Sequence, residues 1–447
     1  MRKLWCAAVL VVTLVSVVRP QCISNNDKLV VTSPPDLAHI TPFSLDLFKQ
    51  LSPPTATGNF FFSPYSVWTA LVLAYFGSAG RTRQQLQDTL RLRDPSTTLV
   101  TYRALDHLTA ERQSNTSDYV IDLANKVYVK SGLPLRDCIR DVLKKEVENI
   151  DFSQADKAAA TINQFVNKTT RGKIPTVVTE SDVAPTLMAL VNAVYFKGFW
   201  LNQFNLTQTT KQKFFTTPSQ HSLVDMMTQL GKFRFGASSE LGATVLEMPY
   251  KGKAASMLVL LPDNTPDGAP GNSATPLDAM LRRLSHDTLH HALTNLEEVE
   301  IELYFPRFKL EQTITEELKA ALEALGIEDL FSSRSDLTNY VRGTNLSVDT
   351  VIHKAVVEVN EEGSEAAAST VIVFKGGPEP RVFRCDRPFV FFIRDNHTNT
   401  ILFMGVYRKP QHHTLHGCLQ EALTPYSSWA STGSPNTILF MGVYRKP

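Results

Sequence analysis

Histidine clusters are the first candidates for chemistry in this sequence. His286 and His290 lie four residues apart, which would place both side chains on one face of a helix, and His291 is adjacent. The spacing allows a zinc pair, but solvated helix histidines explain it more simply. A second group could bind a metal adventitiously or belong to a linker: His412, His413, His416 and Cys418. We therefore predict neither a metal site nor a cofactor.

The compact motifs that mark common enzyme classes are missing from the sequence. It contains no Gly-x-Ser-x-Gly nucleophile turn, no His-Glu-x-x-His zinc motif and no glycine-rich phosphate loop. Each of these motifs places a nucleophile, a metal or a phosphate at a fixed point of the fold. Because none is present, we predict that the chain is not an enzyme.

A run of very small residues begins at Glu361, where the sequence reads EEGSEAAASTVIVFKGGP. In a β-strand, successive side chains of this run would alternate between two faces. One face would carry only small, uncharged side chains: Ser364, Ala366, Ala368 and Thr370. Such a face can slide between two strands of a closed sheet without overpacking it, and Gly363 gives the backbone freedom to turn inwards. An alanine-rich helix is the alternative.

The composition is that of an ordinary globular protein, because 43% of the 447 residues are hydrophobic and 20% are charged. The 45 basic and 44 acidic residues nearly cancel. This balance argues against a dedicated binder of nucleic acid or of a membrane surface. The length allows two or three domains, or one large domain.

The N-terminus, MRKLWCAAVLVVTLVSVV, has the basic start and apolar run of a secretory signal. We predict a signal peptide at 1–21, an N-terminal extension at 22–41 and a secreted, extracellular protein. Four cysteines remain after the signal, and they allow three pairings or free buried thiols: Cys22, Cys138, Cys385 and Cys418. Glycosylation is predicted at five Asn-x-Ser/Thr sequons: Asn115, Asn167, Asn205, Asn345 and Asn396.

Hydrophobic periodicity predicts helices mainly in the first part of the chain and strands from the middle onwards. Helical spacing occurs at 43–51, 66–76, 83–90, 136–148, 155–170 and 313–325. Thr82 is the predicted cap of the third of these helices. Strands are predicted at 185–196, 243–248, 256–261, 299–305, 355–360, 389–393 and 400–407. Because β-α-β alternation is missing, this order indicates an α+β fold.

The end of the chain contains a repeat, since NTILFMGVYRKP occurs at 399–410 and again at 436–447. Two copies of one short strand do not make a solenoid. A duplicated exon or a transcript-assembly error explains the repeat. We predict that 42–410 form the globular domain and that 411–447 form a disordered extension.

Several segments carry the signatures of a known family: NFFFSPYSV, LVNAVYFKGFW, FPRFK, LSVDTVIHKA, EEGSEAAAST and FRCDRPFVFFI. Together they make the chain, from about 42 to 410, resemble the serpins, the serine protease inhibitor superfamily. The resemblance implies the serpin fold, with three β-sheets, about eight or nine helices and an exposed reactive loop at about 361–382.

The resemblance also implies which residues control opening of the main sheet. A polar cluster would lie beneath the sheet where its strands must part: Ser63, Ser66, Asn192 and His353. Trp200 would lie where the loop begins to insert, and Arg307 would pair there with Glu361. The hinge of the loop would comprise Glu361, Glu362, Gly363, Ser364, Glu365, Ala366, Ala367, Ala368, Ser369 and Thr370.

In such an inhibitor the loop is bait for a serine protease. The protease attacks one bond and forms an acyl-enzyme, and the severed loop then inserts as a new strand and distorts the bound protease before deacylation. The resemblance thus implies a secreted, monomeric suicide substrate that binds an extracellular serine protease covalently.

The bond that is attacked has several candidates. Spacing from the hinge places it at Gly377–Pro378, but a proline after the bond removes an amide N–H. Cleavage of Lys375–Gly376 would suit a trypsin-like protease, whose pocket carries a carboxylate, and we favour this bond. Phe374 would suit a chymotrypsin-like protease.

Two further questions stay open at the level of sequence. A non-inhibitory serpin, acting as a carrier or storage protein, is the main alternative, although the small hinge favours an inhibitor. Weak glycosaminoglycan binding is conceivable because Arg103, His107 and Arg112 could line one helix, but they do not form a dense basic patch.

Overall fold

The computed structural model describes residues 37–53, 56–115, 119–184, 186–263, 275–344, 346–361 and 379–410, together with residues 23 and 35. The chain divides into two units, 1–410 and 411–447, and every described residue belongs to the first. The hinge beyond Glu361, the candidate bonds at 375–378, the predicted signal peptide and the predicted C-terminal extension all lie outside the described residues.

The described residues contain ten α-helices, which is more than the eight or nine expected. They are α1 (Thr41–Leu51), α2 (Pro64–Gly77), α3 (Gly80–Leu90), α4 (Pro95–Asn115), α5 (Asp137–Val142), α6 (Ala155–Thr169), α7 (Glu180–Val183), α8 (Pro276–Arg283), α9 (His286–Thr294) and α10 (Glu316–Ala324). Helix α2 is apolar on all sides, and every one of its residues is buried. In the described part of the chain, no helix is both long and apolar enough to cross a membrane.

Fourteen strands are described: β1 (Phe60–Phe62), β2 (Tyr119–Lys130), β3 (Val147–Ile150), β4 (Met188–Gly198), β5 (Thr210–Thr217), β6 (Gln220–Ser238), β7 (Ala243–Pro249), β8 (Ala255–Pro262), β9 (Glu297–Pro306), β10 (Phe308–Ile314), β11 (Thr350–Val359), β12 (Arg381–Arg384), β13 (Phe389–Asp395) and β14 (Thr400–Tyr407). Their mixture with the helices confirms the α+β class.

These strands form two hydrogen-bonded sheets among the described residues, where three were expected. Five strands make the first, in the order β10-β11-β4-β2-β3. Nine make the second, in the order β1-β14-β13-β8-β7-β6-β9-β12, with β5 also paired to β6. The second sheet is continuous because β6 is 19 residues long and pairs with β5, β7 and β9 along its length.

Two local predictions need correction. The helix expected at 136–148 ends at Val142, because the chain then turns and Val147–Ile150 pairs in parallel with β2. Thr82 does not cap α3, which begins at Gly80. Its hydroxyl instead accepts a hydrogen bond from the backbone N–H of Asp336.

The five-stranded sheet is covered on both faces. One face of β4 packs with α6, where Ala193 and Val191 share a cluster with Ile162 and Val166. The other face belongs to the main hydrophobic core, which also contains α2. A sheet buried on both sides has no solvent-exposed face, so any strand added at its centre must carry side chains that both faces can accommodate.

Candidate functional site

The candidate site is the pairing of β4 with β11 at the centre of the five-stranded sheet, which we call the seam. The two strands run parallel, in register from Thr350 opposite Ala189 to Glu358 opposite Lys197. Each strand also has an antiparallel neighbour, since β11 pairs with β10 and β4 pairs with β2. Two pairings of the described strands in this sheet are parallel. One is β2 with the short edge strand β3, and the other is the seam, which joins two antiparallel parts of the sheet.

A polar cluster lies on the seam itself. His353 of β11 stands directly opposite Asn192 of β4, and both side chains are buried. His353 Nδ1 hydrogen-bonds Asn192 Oδ1. On its other side, His353 Nε2 accepts the backbone N–H of Ser63 at 3.1 Å, so the ring proton of the neutral imidazole belongs on Nδ1 and is donated to Asn192.

The start of α2 completes this cluster from below the sheet. Ser63 caps the helix, because its hydroxyl accepts the backbone N–H of Ser66 at 3.1 Å. The same hydroxyl donates to the carbonyl of Leu402 at 2.6 Å. Asn192 Nδ2 donates to the carbonyl of Ser66 at 2.9 Å and also contacts its hydroxyl. Four residues from three separate parts of the sequence thus tie both strands of the seam to one helix end.

Two further members of the cluster were missed in the sequence. Asn125 of β2 accepts a hydrogen bond from Asn192 Nδ2, and its own Nδ2 donates to Thr69 Oγ1 at 2.7 Å. In the sheet register Asn125 lies opposite Asn192. Asn125 could therefore have been identified from the sequence only if the pairing of β2 with β4 had been known. We call the six residues the latch: Ser63, Ser66, Thr69, Asn125, Asn192 and His353.

The latch keeps its histidine uncharged. His353 is fully buried, and burial lowers its pKa to about 3. At neutral pH the imidazole is therefore neutral, with one nitrogen donating and one accepting, as the two hydrogen bonds require. A completed buried network of this kind is rigid, whereas a half-made one is costly.

A second set of contacts holds the end of β11. Trp200 Nε1 donates to the carbonyl of Asn360 at 2.9 Å, and its ring stacks on Tyr250 with centroids 4.6 Å apart. Glu361 is buried, accepts Thr209 Oγ1 at 2.8 Å and lies 3.6 Å from Arg307 Nη1. Tyr250, Thr209 and Asn360 were not singled out in the sequence.

The segment between the two sheets starts at this point. β11 ends at Val359 in the five-stranded sheet, and β12 begins at Arg381 on the edge of the nine-stranded sheet. The hinge residues 362–370 and the bonds at 375–378 connect the two strands and lie outside the described residues. Their directions and contacts therefore stay predictions, and Glu361 is the first hinge residue whose contacts are described.

The remaining candidate residues are placed as follows. His286 and His290 lie on α9 with ring centroids 6.2 Å apart, and within the described residues no three metal-ligating side chains form a group. Cys385 is a free, buried thiol whose pKa is raised well above its usual value by burial. Cys138 is disulfide-bonded.

The predicted sequons differ in what the structure describes. Asn167 is exposed on α6, while Asn205 accepts the backbone N–H of Thr207 and Asn396 donates to the carbonyl of Lys253. Asn345 and the side chain of Asn115 lie outside the described residues.

Of the three basic residues considered for glycosaminoglycan binding, Arg103 donates to Glu146 and to the carbonyl of Val142. His107 is exposed on α4, and the side chain of Arg112 is not described. Because Arg103 is engaged in this ion pair, the surface offers less free positive charge to a glycosaminoglycan than the sequence implied.

Comparison with known proteins assigns the family. The family model described as serpin (serine protease inhibitor) matches residues 38–410. The chain belongs to the serpins. A leukocyte elastase inhibitor of Sus scrofa is 38% identical over 379 residues, covering 83% of this chain and 98% of that protein.

Solved serpin structures agree with this assignment. A structure of uncleaved ovalbumin superposes with a TM-score of 0.73 at 29% identity, over 83% of this chain and 99% of that one. A structure of native protease nexin-1 with heparin has a TM-score of 0.72, also at 29% identity, over 83% and 98% of the two chains. The activity that the family assigns to this serpin is inhibition of a serine protease.

Two predictions are corrected by these comparisons. The prediction of a secreted, extracellular protein is wrong, because the similar leukocyte elastase inhibitors fall among the serpins that are not secreted. The match covers 98% of the Sus scrofa protein. The bare prediction that the chain is not an enzyme was also wrong as a description of its activity, because the family gives it a defined role in a protease reaction, as an inhibitor. Missing catalytic motifs were unsuitable evidence for that question.

Proposed function

We propose that this serpin inhibits its target as a suicide substrate, by inserting its cleaved loop into the seam and trapping the protease as a covalent acyl complex. The observation that carries the proposal is the closed seam, a parallel β4–β11 pair fastened at its middle by the latch. The loop begins directly after β11, at Glu361. A strand formed by the loop would have to reverse direction there, and it would therefore run antiparallel to both β11 and β4.

Hydrogen bonding favours this insertion. The parallel ladder of the seam would be replaced by two antiparallel ladders, and antiparallel pairing is slightly more stable per residue. At roughly 1 kcal/mol net per added hydrogen bond, about ten additional bonds offer on the order of 10 kcal/mol. This is comparable to the whole stability of an ordinary domain, so an inhibitor of this kind must be held in a metastable state until its loop is cut.

Packing explains the composition of the hinge. An inserted strand would be buried on both faces, against α6 and against the main core. Ser364, Ala366, Ala368 and Thr370 on one face add little volume. On the other face Ala367 and Ser369 are equally small, and Glu365 is the one charged residue, at the start of the strand. Large residues here would overpack two covered faces at once.

The latch and the contacts of Glu361 supply the restraint. Opening the seam separates His353 from Asn192, and insertion pulls the chain away from Trp200 and Arg307. Each separation breaks a hydrogen bond or ion pair that is wholly or partly buried, which costs more than breaking one at the surface. The restraint is therefore released by the larger gain of the inserted strand.

For the reactive bond we propose Lys375–Gly376 and a trypsin-like protease. The lysine fits a pocket that carries a carboxylate, whereas Gly377–Pro378 lacks the amide N–H after the bond. A second target class is favoured by the name of the relatives, which inhibit a leukocyte elastase. Elastase has a small pocket, and the apolar run VIVF before Lys375 offers smaller residues to it.

The decisive experiment mixes the full chain with trypsin, chymotrypsin and leukocyte elastase in separate reactions. We expect a complex that survives denaturing electrophoresis with trypsin, and a released C-terminal peptide that begins at Gly376 by mass spectrometry. Catalytically inactive trypsin with its serine replaced is the control, because it cannot form an acyl-enzyme.

The outcomes separate the parts of this proposal. Clipping of the loop by all three proteases, with full protease activity retained, would contradict inhibition by trapping and would favour a non-inhibitory serpin. A complex with elastase alone, or a peptide that begins at another residue, would retain the trapping mechanism and reject Lys375 as the bait.

A further inference from the structure

Helix α9 presents a pair of histidines that the proposed mechanism does not use. His286 and His290 are one helical turn apart, and their rings are stacked, with 17° between the ring planes and 6.2 Å between the centroids. His290 is exposed and His286 is partly buried. From the sequence alone, solvated histidines were the simpler explanation of this spacing. The structure adds that the two rings lie side by side on one face of the helix.

The helix that carries the pair is held at both ends. Ser285 Oγ accepts the backbone N–H of Thr288 at 3.2 Å, and Thr288 Oγ1 accepts the backbone N–H of Ser285 at 2.9 Å. Near the other end, Arg234 of β6 donates to the carbonyl of Leu293 at 3.1 Å. Leu289, in between, is buried in the main hydrophobic core. Since the fold already orders this short helix, a ligand that binds both histidines does not have to form it.

The separation of the two rings suits a single metal ion. A tetrahedral zinc ion with Zn–N bonds of about 2.0–2.1 Å would hold the ring centroids roughly 5 Å apart. The observed separation is 6.2 Å. Rotation about the side-chain bonds closes the difference of about 1 Å without a change in the backbone. Imidazole nitrogen is a ligand that suits zinc, copper and nickel, whereas magnesium and calcium prefer oxygen ligands.

The third histidine of the helix is not expected to bind the same ion. His291 follows His290 directly and is therefore turned about 100° away from it around the helix axis. Its Nδ1 lies 3.3 Å from Oε2 of Glu240, in the turn between β6 and β7. His291 is exposed, as His290 is. It therefore provides a matched control for the pair.

We propose that His286 and His290 together bind one divalent ion of the zinc, nickel and copper class, through one ring nitrogen each. Water fills the other coordination positions, which face the solvent. Once one imidazole has bound the ion, the second bond forms within the same molecule, and this raises the affinity above that of a single histidine. The site lies on α9, away from the seam and the latch, so the proposal does not rest on the inhibitory function.

Equilibrium dialysis of the untagged full chain against zinc measures the binding. The other candidate donors in the sequence are removed first, in a background variant that carries His412→Ala, His413→Ala, His416→Ala and Cys418→Ser. We expect this variant to bind one zinc ion, to bind copper more tightly than zinc, and to retain the zinc in excess magnesium. Binding that requires millimolar zinc, or displacement by magnesium, would overturn the proposal.

Single substitutions in the same background locate the ion. His286→Asn and His290→Asn each remove one of the two ligands, and each should weaken zinc binding at least about tenfold. His291→Asn removes a neighbouring exposed histidine and should leave the affinity within about threefold of the background variant. Equal losses in all three variants, or no loss in the first two, would contradict the assignment.

A rescue experiment tests whether the two ligands act as a pair. Thr294 is exposed and ends α9, four residues after His290. The double variant His286→Asn/Thr294→His therefore has a new pair one turn further along, and it should regain most of the lost affinity. In His286→Asn/Asn295→His the added ring lies on another side of the helix and should not restore binding. Rescue by both changes, or by neither, would refute chelation by a histidine pair.

Hydrogen exchange followed by mass spectrometry locates the site in the unaltered chain. An ion that joins the first and second turns of α9 should stabilise this helix against local opening. We expect zinc to slow amide exchange in the peptide that contains His286–Thr294 at least about twofold, and His290→Asn should remove this effect. Unchanged exchange of α9 in saturating zinc would overturn the proposal.

Discussion

At the scale of single residues, the latch depends on matched donors and acceptors. His353 donates to Asn192 and accepts from Ser63, while Asn192 shares its amide hydrogens between Ser66 and Asn125. Exchange of any one member leaves partners buried without a hydrogen bond, and each such group costs about 1–3 kcal/mol. The arrangement thus makes the seam hard to open part-way.

The buried histidine predicts a specific pH dependence of stability. The pKa of His353 is about 3 in the folded chain and near 6.5 when unfolded, so below pH 6.5 only the unfolded chain takes up this proton. The stabilisation is complete above pH 6.5 and is lost as the pH falls towards 3. Between pH 7.5 and 5.5 we expect a loss of about 1.4 kcal/mol from this residue.

Urea denaturation of the native form at pH 7.5, 6.5 and 5.5 measures this effect. The variant His353→Gln cannot be protonated at this position in this range. Between pH 7.5 and 5.5 its free energy of unfolding should therefore fall by about 1.4 kcal/mol less than that of the parent. A pH dependence that is the same in the variant and the parent would show that another group controls the acid response.

The hinge offers a second prediction at this scale. Ala366→Arg places a long cation on a strand face that would be buried after insertion, and burying an unpaired charge is strongly unfavourable. We expect the variant to be cleaved by trypsin at Lys375–Gly376 with at least a tenfold smaller fraction trapped, and mass spectrometry of the released peptide distinguishes this cut from one after the introduced arginine. Ala366→Ser, which is small and uncharged, should trap trypsin as the parent does. Unchanged trapping by the arginine variant would count against insertion of the hinge.

At the scale of secondary structure, the proposed mechanism makes the seam the position for one more strand. β4 and β11 each have one antiparallel partner and meet each other in parallel. Pairing with an inserted strand would give every strand at the centre of the sheet antiparallel neighbours. Ala189 and Ala193 on β4 face one hydrophobic cluster, and Ala355 on β11 faces the other. Their small side chains add little volume beside the seam on either face of the sheet.

A synthetic peptide with the sequence of 364–374, SEAAASTVIVF, should therefore occupy the seam. On prolonged incubation we expect one peptide to bind per chain, the thermal midpoint to rise, and trypsin trapping to be lost because the position is filled. The same peptide carrying the Ala366→Arg change is the control and should do none of these. Equal effects of both peptides would indicate binding elsewhere.

At the scale of the whole molecule, the five-stranded sheet corresponds to the state before insertion that the proposed mechanism requires. The five-stranded sheet has no strand between β4 and β11, and the solved structure of uncleaved ovalbumin has a similar fold. The proposed gain of about ten hydrogen bonds on insertion is large compared with typical domain stabilities. The intact and the cleaved chain should therefore differ strongly in stability although their covalent difference is one bond.

Calorimetry before and after a single cut in the loop tests this difference. With on the order of 10 kcal/mol gained, and with about 2–4 °C gained per kcal/mol for a domain of 150–250 residues, we expect the thermal midpoint of this larger chain to rise by at least about 10 °C. A cut between Thr217 and Gln220, in the exposed turn that joins β5 and β6, is the control and should not raise it. A cleaved loop without a gain in stability would refute the proposed driving force.

The sequence by itself determined the family, the α+β class and the approximate bounds of seven of the fourteen described strands, because apolar runs and alternation are local properties of the chain. It also indicated the small hinge. Periodicity did not predict α4, α7 and α8. Helix α4 has no regular apolar face, whereas α7 and α8 are short, with four and eight residues. The helix end after Val142 and the single sheet formed around β6 depended on pairing between distant segments, which no local pattern contains.

The tertiary structure alone decided how the site is assembled. Ser63, Asn125, Asn192 and His353 are separated by up to 290 residues, and only the register of β2, β4 and β11 brings them into one hydrogen-bonded cluster. Side-chain types are written along the chain, but the burial that lowers the pKa of His353 exists only once the sheet and helices have packed.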